Sequence, residues 1–110
     1  MDTTSLTELI EQHTRLAQAA SSGRSASTVY GGHSRTLRQT LITLLAGRQL
    51  DEHENPGEAT VHVLTGRVRL RTADDACEAK AGDLLPVPDA RHTLEAIEDT
   101  AVLLTVALTR

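Results

Sequence analysis

The 110-residue chain has no tryptophan and no phenylalanine, and Tyr30 is its single aromatic residue. Without rings to stack on, a site for nucleobases or other large flat aromatics is not expected. The formal net charge of −4 points the same way, since a nucleic-acid partner calls for a basic face. Cysteine is nearly absent as well. Cys77 stands alone, so no internal disulfide can form, and with no histidine beside it in sequence it reads as a small hydrophobe rather than a nucleophile. No apolar run approaches the ~20 residues of a membrane span, and the N-terminus lacks the basic and apolar regions of a secretory signal. These absences predict a cytoplasmic protein with neither a membrane nor a nucleic-acid partner.

What the chain does have is aliphatic. Leu, Val and Ile total 26 residues (16, 7 and 3), above the roughly one-fifth below which disorder becomes the better expectation. A chain of this length supports one core and one globular domain.

Residues 4–20 read as a helix. Ser5 and Glu8 have capping-box spacing, and Leu6, Leu9, Ile10, His13, Leu16, Ala17 and Ala20 make an apolar stripe at helical spacing. His13, on the edge of that stripe, reads as structural. The Ser- and Gly-rich segment 21–27 reads as a linker, so 1–27 is expected to be helix plus linker and 28–110 the main domain.

Beyond it, turn signals such as Gly31-Gly32, Asn55-Pro56-Gly57 and Ala81-Gly82-Asp83 separate short runs. The runs are 36–46, 59–65, 67–72, 76–80, 84–87, 92–96 and 101–108. The first has helical propensity, but its place among hairpins favours a strand. In 67–71 Val68 and Leu70 alternate with Arg67, Arg69 and Arg71, which form either a solvated face or a surface for anions or a second subunit. About seven short strands predict an all-β sandwich or small barrel.

Two stretches are more specific. Gly47, five residues, then HENPGEATVHVLTG ending at Gly66 resembles the first motif of the cupin superfamily. Gly82-Asp-Leu-Leu-Pro-Val-Pro88-Asp-Ala-Arg-His92 resembles the second, with fifteen residues between Gly66 and Gly82 as in compact single-domain cupins. The resemblance covers residues 35–108. It implies a small antiparallel jelly-roll β-barrel with an N-terminal helix, an interior pocket for a small-molecule ligand and a homodimer.

In metal-binding cupins two histidines and a glutamate of the first motif and a histidine of the second hold the metal. Here His53 and His92 match the first and last ligands, Asn55 stands at the second, and Ala59 falls at the glutamate. The metal would be a divalent transition ion (Zn, Ni, Mn, Fe or Cu) on His53 and His92, with Asn55 a weak third donor. One step along a strand turns a side chain over, so Glu58 and His62 are expected to point away from the pocket. Gln39 and Thr43 share a face of the preceding strand, and His33 comes before it. Any of these can line the pocket, and Gln39 is the candidate ligand-binding residue among them.

Three functions follow: a metal site on His53 and His92, a metal-free pocket for a small polar or anionic ligand, or a metal-free isomerase or epimerase with a pocket histidine as base.

Overall fold

Two-residue alternation of apolar and polar side chains runs through most of the chain after residue 23, and it folds as strands. The computed structural model describes residues 1–53 and 57–108, with residues 51–53 described by their backbone alone. One helix, α1 (Leu6–Ala19), precedes β1 (Arg24–Tyr30), β2 (Leu37–Leu44), β3 (Gln49–His53), β4 (Gly57–Thr65), β5 (Arg67–Arg71), β6 (Ala76–Lys80), β7 (Leu84–Pro86), β8 (His92–Ala96) and β9 (Thr100–Leu108). A five-stranded sheet, β1-β2-β9-β4-β7, faces a four-stranded sheet, β3-β8-β5-β6, and every pairing is antiparallel. The core between them is aliphatic, with Leu44, Val63, Val68 and Val102 excluded from solvent.

β2 explains why its sequence is ambiguous. Ile42 and Leu44 point into the core, while Leu41 and Thr43 on its other face are equally buried. The second face lies under α1. Ser5 starts that helix by accepting the Glu8 amide at 3.2 Å, and the stripe then sets His13 and Ala17 against the sheet. The Thr43 hydroxyl, 3.0 Å from the His13 carbonyl and 3.2 Å from that of Ser25, ties helix to strand, and His13 Nδ1 lies 2.6 Å from Ser25 Oγ. His13 is structural, as expected. Leu16, placed on the stripe, is instead 54% exposed, because the covered face narrows to Ala17 near the helix end.

Two strands were not anticipated. Residues 24–27 of the expected linker are the first half of β1, whose Ser25 and Ser27 alternate toward the helix side. β3 lies in the five-residue stretch after Gly47 and ends at His53 of the first motif, with Leu50 as its one aliphatic residue. Both are sheet edges, and residues 24–27 and β3 lack the β-branched and aromatic residues that mark strands.

On the outer face of the smaller sheet the arginine stripe is neutralised. Arg67 pairs with Glu78 and Glu98, Arg69 with Glu78 and Glu95, and Arg71 with Glu95, all at 3.2–3.7 Å. Carboxylates at every step leave this face little attraction for an added anion.

One end of the barrel is closed by turns. The Gly47 amide donates to the Ala96 carbonyl and the Ala46 amide to Asp99 Oδ1, each at 2.8 Å. In the β6–β7 turn Asp83 Oδ2 accepts the Lys80 amide at 2.9 Å, and that bond holds the Asp83 carboxyl below its ordinary pKa. Gly66, between β4 and β5, has φ +83, and a Cβ there would run into the Asp99 carbonyl and the Thr100 hydroxyl. Gly66→Ala is therefore expected to destabilise the fold by about 2 kcal/mol or more, adding left-handed strain to a clash with backbone. Thermal unfolding of the variant beside the parent checks this, and an unchanged midpoint would refute the packing described.

Candidate ligand-binding site

Register decides which side chains meet inside the barrel. β2 pairs with β9 without a break from Leu37↔Ala107 to Leu44↔Thr100, and β4 meets β9 from the other side. Since Ile42, Val63 and Val102 form one inward rung of the core, the inward rungs nearer the open end follow by steps of two. The next is Thr28, Thr40, Leu104 and Val61. The outermost is Arg38, Val106 and Ala59. On the opposing sheet Leu70, Leu94 and Leu50 form a rung, and His92 is the next inward residue beyond it.

His92 is 4% exposed. It caps a space of about 20 Å³ floored by Ile42, Leu50, Leu70, Leu94 and Val102, room for one water-sized group. Its Nδ1 is 2.9 Å from the Ala90 carbonyl oxygen. A carbonyl can only accept, so Nδ1 carries the proton and, in the neutral ring, Nε2 carries the lone pair. The backbone of His53 lies opposite that of His92. It gets there through a register shift: Leu50 pairs with Leu94, and the next pair is His53 with His92, three residues on β3 against two on β8.

The remaining candidates divide cleanly. The His53 side chain and Asn55 lie outside the described residues. Gln39 has the parity of Leu41 and Thr43, and its amide donates to Thr105 Oγ1 at 3.2 Å on the outer face. It therefore does not line the pocket. The correction comes from β2 being buried on both sides, which hid its inward face. Thr43 lies under the helix and His33 in the exposed β1–β2 loop. Glu58 and His62 are exposed on the outer face of β4, as their parity requires. A groove of about 720 Å³ lies beyond that face, along Leu37, Glu58, Thr60, Pro86, Thr105 and Ala107.

Sequence reasoning missed Arg38 and Thr40. Their signal was the two-residue step from Ile42 and Leu44, legible only once that face was known to be inside.

Among the described residues no three His, Cys, Asp or Glu side chains gather to hold a metal. Ala59 is buried on the inner face at the carboxylate position of the cupin motif, and Arg38 in its rung adds a positive charge. A divalent cation there would meet a guanidinium and no compensating carboxylate, so the described residues do not fit one.

No protein-family model and no curated protein matches the chain. Solved structures do. An RmlC-like cupin from Desulfovibrio desulfuricans superposes with TM-score 0.74 at 24% identity, covering 97% of this chain and 96% of the other. A cupin 2 conserved barrel domain protein from Salinispora arenicola matches at TM-score 0.68 and 16% identity over 96% and 87% of the two chains. A cupin superfamily protein from Desulfitobacterium hafniense matches at 0.71 and 16%, over 78% of each. Identities below 25% speak for the fold, and they agree with both motifs and the sheet order: the chain is folded as a small cupin domain.

Proposed function

We propose that this chain is a ligand-binding cupin that receives a small molecule at the open end of its barrel without a resident metal. The observation that carries the reading is His92, a buried polar ring set at the top of an otherwise aliphatic interior, with its proton held on Nδ1 by the Ala90 carbonyl. A polar group placed in an apolar pocket is how such sites orient a ligand.

One observation favours a second reading. An Nδ1–H donated to a backbone carbonyl is also how a metal-ligating histidine is oriented. His92, with His53 opposite it and Asn55, would then hold the transition ion.

Metal analysis of untagged protein separates the two. The expected result is no stoichiometric transition metal, together with small polar molecules that shift the His92 ring signals in NMR titrations. His92→Ala should weaken that binding about tenfold or more, the usual worth of a hydrogen bond to a buried group. A tightly held metal would overturn the first reading in favour of the second.

We also propose that the working form is a homodimer. The β9–β4–β7 half of the larger sheet is not covered by α1, and Leu84 there is 63% exposed. Glu58 and His62 are the titratable side chains that β4 adds to this face, so two copies can approach without strong repulsion. Leu84→Arg should halve the mass seen by light scattering; a monomeric parent across the concentration range would refute the dimer.

A further inference from the structure

The inward rung nearest the open end holds a charge that the packing does not explain. Arg38 lies on the inner face of β2, half-buried, in register with buried Val106 and, one strand further, buried Ala59. Arg67, Arg69, Arg71 and Lys80 are each matched to a carboxylate. Arg38 takes part in none of these pairs. Half-burying a guanidinium without a counter-ion is unfavourable, and the penalty disappears when an anion arrives.

The neighbours of Arg38 are graded. On its side of the mouth, one rung deeper, stands half-buried Thr40, with exposed Thr28 next to it on the edge strand. On the other side are Ala59, Val61, Leu104 and Val106, all aliphatic. Below lies the small apolar space capped by His92. Strands are about 4.8 Å apart, so the Arg38 and Ala59 backbones are roughly 10 Å apart. The Arg38 side chain can cover most of that gap. Among the described residues, the carboxylates Glu58 and Asp89 are exposed and line the outer groove.

We propose that Arg38 is the anchor of a carboxylate site, and that the ligand class is a short aliphatic carboxylic acid. The carboxylate pairs with the Arg38 guanidinium, Thr40 lies beside it, and a methyl-sized end enters the space beneath His92. A planar guanidinium matches a carboxylate with two parallel hydrogen bonds, which an uncharged isostere cannot reproduce. The size limit comes from the interior, where one water-sized group fills what is free. This inference rests on the ligand-binding reading of the same pocket and narrows it to a charge and a size.

The test uses the full chain and two probes of nearly equal shape, isobutyrate and isobutyramide, titrated into labelled protein while the His92 ring and Arg38 Nε–H signals are followed. Isobutyrate should bind about tenfold or more tighter than the amide, the usual worth of a charge-assisted pair. Arg38→Gln should abolish that preference, and Arg38→Lys should restore part of it. Equal binding of the two probes by the parent, or a preference that survives Arg38→Gln, overturns the carboxylate site. If neither probe moves the His92 signals while other small molecules do, the carboxylate site fails and the pocket reading stands. If no small molecule moves them, both fail.

Discussion

The unbroken pairing of β2 with β9 is the constraint on which the rest of the structure depends. Because side chains alternate with period two, a single slip between these strands would exchange the contents of the barrel with the surface under the helix. Ile42 and Leu44 would move out, and Leu41 and Thr43 would move in. The Thr43 hydroxyl and the His13–Ser25 contact resist that slip from outside, since they require Thr43 to face α1. The core resists it from inside. Helix and core thus hold one register from opposite faces, and the same register places Arg38 at the mouth.

The strands covered on one face were legible in the sequence. In β5, and in β4 as far as Val63, polar and apolar residues alternate, so Val61, Val63, Val68 and Leu70 could be placed inside and His62 and the arginines outside. Both motifs lie on such strands or on the turns between them, which is why the barrel could be expected from them. Alternation failed where burial is two-sided. β2 is apolar at both parities, so it resembled a helix and its inward face was undetermined. Gln39 was consequently assigned to the pocket and Arg38 overlooked. β1 failed for the opposite reason: its Ser, Ala and Thr residues owe their place in the sheet to pairing and to the helix above, which composition does not record.

The site shows how a barrel keeps its geometry while its electrostatics are reversed. In the cupin motif a carboxylate at the position of Ala59 offsets the charge of a cation. Here that position carries a methyl group, and a guanidinium enters the same rung from two strands away. Among the described residues of this rung the one charge is that of Arg38, where the motif would place a carboxylate. His92 suits either case, because an imidazole with its proton fixed on Nδ1 can bind a metal or accept a hydrogen bond. The discriminating residue is therefore outside both motifs.

The register shift in β3 leaves a different kind of mark on the chain. Three residues of that strand span what two span on β8, and this extra residue brings the backbone of His53 level with His92. Length between Leu50 and His53, rather than the identity of the residues there, sets that alignment. Substitutions at 51 and 52 leave the count intact, whereas removing one residue would carry every later position of the strand to the opposite face. Relatives of this barrel that differ in length here would differ in which residue stands across from His92, however alike their motifs look when aligned.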